Sequence, residues 1–259
     1  MQDFADTKVV VTGASSGIGR AIAIEVARRG ASVVGINFVN NEPGAVETSR
    51  EVSAFGAKAV LIQGDVSDDN TCRAIAEIMA NNGGLDVLFN NAGRTKFVAG
   101  RDLDGCSLTD FLQIYAVNVV GAYQMARATR ALLEASPRGG AVVNISSMAG
   151  MTGAGSSIPY SASKGALNTL TLSLARVLAP KIRVNAVCPA FVDTPWFRKA
   201  LPEQAVDGLR TRFSAASPLG APSGPEDVAA AAAFLASPGA RHITGETLLV
   251  DSGAHLGAG

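Results

Sequence analysis

One short apolar run, followed at once by glycines and then by a helical pattern, constrains this chain more than any other stretch. Lys8-Val9-Val10-Val11-Thr12 is apolar and β-branched, which suits a strand buried on both faces. Gly13-Ala14-Ser15-Ser16-Gly17-Ile18-Gly19 turns the chain. From Arg20 to Arg29 the apolar residues Ile22, Ile24, Val26 and Ala27 recur at helical spacing, and Gly30 ends the helix. Ser32 to Asn37 reads as the next strand. Strand, Gly-rich turn, helix and strand together begin a βαβ unit.

The alternation continues to the end of the chain. Helices are expected over Glu42–Phe55, from the capping Asp68 to about Asn82, over Thr109–Ala135, from Tyr160 to about Leu178, and from Pro225 to near Ser237. Strands are expected at Lys58–Gln63, Leu85–Phe89, Ala141–Ile145, Ile182–Val187 and Glu246–Val250. Arg94–Cys106 and Met148–Ser157 read as loops, and Pro189–Pro222 as irregular or loosely helical. This order predicts an α/β fold: one doubly wound parallel sheet of about seven strands with helices on both faces, in a single domain over residues 1–259. A composition of 47% hydrophobic and 17% charged residues supplies enough apolar side chain for such a core.

In parallel sheets of this kind, ligands sit outside the carboxyl ends of the strands. Those ends carry every unusual segment here: Gly13–Gly19, Asn37–Phe38, Asp65–Val66, Asn90–Gly93, Ser146–Ser147 and Pro189–Thr194. The glycines either let a phosphate approach the backbone at a helix N-terminus or simply form a tight turn. Asn37 and Phe38 end the second strand, where an acid would bind a ribose 2′-hydroxyl and repel a 2′-phosphate. No acid stands there, which favours NADP(H) over NAD(H) if a dinucleotide binds. Asp65 either accepts from an adenine amino group, with Val66 on the ring, or forms a turn. Asn90 and Asn91 are expected to tie the sheet edge together.

Tyr160 and Lys164 lie one helical turn apart, so an ammonium beside a phenol would favour the phenolate. With Thr12-Gly13-x-x-x-Gly17-x-Gly19, Asn90-Asn91-Ala92-Gly93, Asn118 and Ser147, the pair resembles the classical short-chain dehydrogenase/reductases in order and spacing over nearly the whole chain. The resemblance implies a Rossmann-type fold, a nicotinamide cofactor and hydride transfer between it and a carbonyl or secondary alcohol. It makes Tyr160 the proton donor and acceptor. Lys164 becomes its pKa perturber and a ligand of the nicotinamide ribose, Ser147 the group that polarises the substrate oxygen, and Asn118 the holder of a water. It makes Ser146 structural. It assigns the cofactor to Gly13, Ser15, Ser16, Gly17, Ile18, Gly19, Asn37, Phe38, Asp65, Val66, Asn91, Ala92, Gly93, Tyr160, Lys164, Pro189, Val192 and Thr194. Ala190 and Ser252 depart from the family, which has glycine at both places.

Substrate selection is expected from Arg94–Cys106 and from a loop at about 190–222. In the latter Phe191, Trp196, Phe197, Leu201 and Phe213 either form an apolar lid or pack a short helix. Arg94, Ser156 and Ser157 equally suit a sugar or hydroxy acid. The resemblance implies a homotetramer or homodimer assembled through the Tyr160 helix and the last strand.

Two other classes compete. One is a dinucleotide-binding sensor or scaffold without catalysis. The other is a serine hydrolase, since Gly13-x-Ser15-x-Gly17 also fits a nucleophile elbow, with Asp251 and His242 or His255 downstream. Twenty-two basic against 22 acidic residues leave no charge excess for nucleic acid or an anionic membrane. Cys72, Cys106 and Cys188 are too scattered for a disulfide framework or a zinc site, and no metal is expected. Met1 to Lys8 lacks an apolar signal region, so a soluble cytoplasmic protein is expected.

Overall fold

The structure, a computed structural model, describes residues 2–98 and 101–256. Ala99 and Gly100 of the expected 94–106 loop, together with Met1 and residues 257–259, lie outside the described residues. The strands are β1 (Lys8–Val11), β2 (Val33–Phe38), β3 (Lys58–Gln63), β4 (Val87–Asn90), β5 (Gly140–Ile145), β6 (Ile182–Pro189) and β7 (Thr247–Val250). They form one parallel sheet of seven strands in the order β3-β2-β1-β4-β5-β6-β7. The order reverses between β1 and β4. At that point the chain leaves the sheet in opposite directions and opens a crevice at the carboxyl edge.

The apolar run of β1 is buried because helices cover both faces. Val9 and Val11 pack in one core with Ile22 and Val26 of α1 (Gly17–Arg28), Val52 of α2 (Glu42–Ala54) and Val228 of α10 (Pro225–Ala236). Val10, pointing the other way, packs with Ile75 and Met79 of α3 (Asp69–Asn81), Met125 of α5 (Ala122–Glu134) and Leu174 of α7 (Ile158–Leu178). Strand alternation thus divides one sequence run between two cores. Truncating a core side chain such as the fully buried Ile22 to alanine would cost about 2–5 kcal/mol.

Helix starts follow local chemistry. Asp68 caps α3 by accepting from Asn70 N at 3.0 Å, and Asn41 caps α2 through Gly44 N at 3.3 Å. Ser157 caps α7, with Pro159 in its first turn.

Three stretches differ from the sequence expectation. The helix expected over Thr109–Ala135 is α4 (Leu108–Tyr115), a π-helical turn at Ala116–Gly121, and α5. The π turn falls where Gly121 must pass Val66: a Cβ there would come 2.8 Å from Val66 Cγ2. Such turns re-aim side chains within an otherwise regular helix. Met148–Ser157 contains a short helix, α6 (Ala149–Thr152), and Pro189–Pro222 contains α8 (Pro195–Arg198) and α9 (Glu203–Ala216). No helix among the described residues is long and apolar enough to cross a membrane.

Candidate active site

A cavity of about 540 Å³ follows the carboxyl edge of the sheet. It is lined by nearly every residue the sequence singles out: Gly13, Ser15, Ser16, Gly17, Ile18, Asn37, Phe38, Asp65, Val66, Asn91, Ala92, Gly93, Ser147, Tyr160, Lys164, Pro189, Val192 and Thr194. Two expected residues, Gly19 and Asn118, stand behind its wall.

The glycine turn is held from below. Asn91 donates through Nδ2 to Thr12 O at 2.9 Å and Gly13 O at 3.0 Å, while Thr12 Oγ1 accepts from the N–H groups of Asn91 and Ala92. This lattice explains Gly19, because a Cβ there would strike Asn91 Nδ2 and Gly13 O. Gly13 needs its left-handed φ of +64° and would place a Cβ 3.0 Å from Ala92 Cα. Ser16 precedes α1 without a side-chain cap, so no hydroxyl occupies the amide groups that begin the helix. That end of the cavity is a backbone cradle with a helix dipole behind it, and it fits a diphosphate.

Asn37 is built into the floor of the cavity. It is 1% exposed; its Oδ1 accepts from Gly13 N at 3.3 Å, and its Nδ2 donates to Ile62 O at 3.2 Å and Gly64 O at 3.0 Å. Both of its side-chain N–H groups are used in tying the glycine turn to β3, and the residue also lines the cavity. Val39, Asn40 and Asn41, which sequence reasoning passed over, line the cavity beside it. Asn41 is itself fixed, donating to Ser15 O at 3.1 Å while capping α2. The Asn41-Glu42-Pro43 cap pattern was the available signal for it. Asp65 forms the turn alternative, accepting from Ser67 N at 2.9 Å, and still lines the cavity.

At the other end, β5 and α7 bring Ser147, Tyr160 and Lys164 together. Lys164 is 4% exposed, and its Nζ donates to Ile145 O at 2.8 Å. Burial without a counter-charge pulls its ammonium down to about 8. Its Nζ lies 5.7 Å from the Tyr160 ring centroid. Burial pushes the Tyr160 phenol up to about 12; the neighbouring Ser147 hydroxyl opposes the shift without cancelling it. In this arrangement desolvation dominates the phenol, and the Lys164 ammonium is turned onto a carbonyl. Ser147 is held by accepting from Ala149 N at 3.1 Å and donating to Pro189 O at 3.4 Å. Ser146 is structural, donating to Lys164 O at 3.1 Å.

Asn118 sits in the π turn and is 1% exposed. Its Oδ1 accepts from Arg94 N at 2.7 Å, and its Nδ2 donates to Arg94 O at 3.0 Å and Ser163 Oγ at 2.9 Å. Ser163 in turn donates to Tyr160 O at 2.7 Å. Both amide hydrogens are spent, so the side chain clamps the Arg94 segment to the Tyr160 helix and cannot donate to a water. Asn90 ties the sheet edge as expected, donating to Asn144 Oδ1 at 2.9 Å.

The hydrolase arrangement is not formed. Neither histidine lines the cavity with Ser15, and His255 Nδ1 is engaged with Asp251 Oδ2 at 2.7 Å. Among the described residues no cluster of metal-ligating side chains exists.

The comparisons agree with this geometry. The family model described as enoyl-(acyl carrier protein) reductase matches residues 13–255. The chain belongs to the classical short-chain dehydrogenase/reductase family. It is 36% identical to an L-rhamnose 1-dehydrogenase (NAD(P)(+)) of Azotobacter vinelandii, over 96% of each chain. It is also 36% identical to a 3beta-hydroxysteroid dehydrogenase of Mediterraneibacter gnavus, over 98% of this chain and 96% of that one. The crystal structure of acetoin dehydrogenase from Salmonella typhimurium superposes with a TM-score of 0.85 at 32% identity, over 97% of each chain. As a short-chain dehydrogenase/reductase, this protein is an oxidoreductase of alcohol and carbonyl groups that uses a nicotinamide cofactor.

The two departures from the family's glycines have different outcomes. Ala190 has no positive φ, so alanine fits without strain, whereas Ser252 takes φ +54° in the left-handed region that glycine would occupy freely.

Proposed function

We propose that this enzyme interconverts a ketone or aldehyde with its alcohol through Ser147, Tyr160 and Lys164, in one catalytic domain with its substrate loop at about 190–222. The convergence of these three side chains on the cavity that also holds the glycine cradle carries the reading. When bound, the nicotinamide supplies or accepts the hydride at the substrate carbon. Ser147 donates a hydrogen bond to the substrate oxygen and stabilises charge growing there. Tyr160 gives that oxygen a proton during reduction and removes it during oxidation. Lys164, charged and next to the phenol, lowers the cost of the transient phenolate and binds the nicotinamide ribose. Val192 and Thr194 hold the carboxamide. Asn118 acts through its main-chain carbonyl, within the π turn, as the anchor for a water that relays protons to Lys164.

The adenosine end carries no acidic side chain from the β2 terminus, so a 2′-phosphate meets no repulsion. It carries no guanidinium either. NADP(H) is favoured, and NAD(H) is also accepted. A homotetramer or homodimer in the cytoplasm fits Leu172 and Val177 of α7, which are 48% and 70% exposed, and the free thiols of Cys72, Cys106 and Cys188.

Tyr160→Phe tests the mechanism. Turnover of any accepted substrate should fall by roughly 10²–10⁴-fold while NADPH binding persists. Near-normal turnover in that variant would exclude the mechanism. Binding of NADPH without turnover of any carbonyl compound by the unaltered enzyme would favour the sensor reading.

A further inference from the structure

The mouth of the cleft carries positive charge that the reaction above does not use. Arg94 lines both the large cavity and a smaller adjoining one of about 430 Å³ formed with Thr95, Lys96, Phe97, Trp196 and Ala200. Its main chain is clamped on both sides by Asn118, at 2.7 and 3.0 Å. Its guanidinium donates to a neutral acceptor, Gln113 Oε1, at 2.6 Å, and among the described residues it enters no ion pair. Lys96 differs, being neutralised by Asp110 at 2.8 Å.

Asp65, at the end of β3, is the one acidic side chain lining either cavity among the described residues. In a chain with equal numbers of acidic and basic residues, the substrate end of the cleft is therefore locally cationic. The walls beside it are aromatic. The Trp196 ring lies 6.3 Å from that of Tyr160, and Phe97 meets Phe197 edge-on at 5.7 Å. No residue of the glycine turn lines the smaller cavity, so Arg94 stands away from the cradle that suits the cofactor diphosphate.

We infer that the substrate is an anionic carbonyl compound or alcohol whose apolar body lies on Trp196 and Phe97 and whose carboxylate or phosphate group is bound by Arg94. The inference rests on the reading of this cleft as the place where Tyr160 meets the substrate oxygen. A guanidinium offers a planar fork that matches either anion with two parallel hydrogen bonds. Gln113 holds one of its N–H groups and so fixes the fork's orientation. Exposure at the mouth leaves the anion partly hydrated, which keeps the desolvation cost small.

Trp196 is the chain's single tryptophan, so its fluorescence reports on this cleft alone. The protein, with and without NADP⁺, is titrated with cyclohexanecarboxylate, cyclohexyl phosphate and the neutral isostere cyclohexanecarboxamide. At least one anion should bind about tenfold more tightly than the amide, and the tighter anion identifies the group. The preference should weaken with added salt. It should vanish in Arg94→Gln, which keeps the main-chain bonds to Asn118, while NADP⁺ affinity is unchanged. Equal affinity for anions and amide, no response to either anion, or a preference retained in Arg94→Gln would each overturn the inference. Failure of the unaltered protein to bind NADP⁺ or NADPH would instead strike the proposed dehydrogenase function.

Discussion

Asn37→Asp separates two accounts of the cofactor pocket that the sequence alone cannot distinguish. If residue 37 faces the ribose, the change installs a 2′-hydroxyl ligand and turns the enzyme toward NADH with little effect on stability. In the structure the Asn37 amide is 1% exposed and donates to Ile62 O and Gly64 O at 3.2 and 3.0 Å. A carboxylate has no hydrogen to give. It would leave two carbonyl oxygens without these donors and hold a negative charge against them in a buried site. Each lost buried hydrogen bond costs about 1–3 kcal/mol, and the unfavourable charge adds to that. A total near 3–5 kcal/mol follows, a large share of the roughly 5–15 kcal/mol that stabilises a typical domain. Urea unfolding followed by circular dichroism should show a clearly lower midpoint for the variant. Titrations with NADH and NADPH should show both affinities reduced, because residue 37 loses its anchors on Ile62 O and Gly64 O and no longer holds the cradle it supports at Gly13 N in place. A variant with the original midpoint and a new preference for NADH would refute this reasoning.

Other consequences concern the buried ammonium and the segment at about 190–222. Lys164 titrates near 8 instead of its ordinary 10.5, so the folded state disfavours its charge. Its contribution to stability is fully present above about 10.5 and is lost as pH falls through about 8. Lys164→Met should therefore raise the urea midpoint at pH 7, by at most ~3 kcal/mol, with the gain shrinking between pH 8 and 10.5. An advantage that does not change with pH would contradict the assignment. Asp193 pairs with Arg198 of α8, at 3.0 Å, and with Arg210 of α9, and the two arginines hold its carboxyl below the usual range. Exposed pairs of this kind contribute about 0.2–1 kcal/mol each, so losing both in Asp193→Ala should speed tryptic cleavage within 198–212 by roughly two- to thirtyfold. Unchanged cleavage would mean that the aromatic contacts of Phe191 with Phe197 and Phe213 hold this segment by themselves.

Much of this protein was determined by its sequence alone. The order of β-branched runs, glycine turns and helical patterns requires a parallel sheet, because buried strands and amphipathic helices have different periods and each must cover the other. The residues of the cleft are likewise legible in the sequence, since a parallel sheet gathers its strand ends on one edge whatever fills the core. Only the tertiary structure decided what each polar side chain does there. Asn37 and Asn118 are site candidates in the sequence, and the structure adds that their amides also bind the fold, the first through Ile62 O and Gly64 O and the second through Arg94 O and Ser163 Oγ. The π turn lies where Gly121 passes close to Val66, a contact between residues far apart in the chain. The spacing of Tyr160 and Lys164 places an ammonium beside a phenol, and only the structure shows that both groups are also desolvated. Hydrogen bonding and dielectric depend on neighbours in space, and the linear sequence orders only neighbours in the chain.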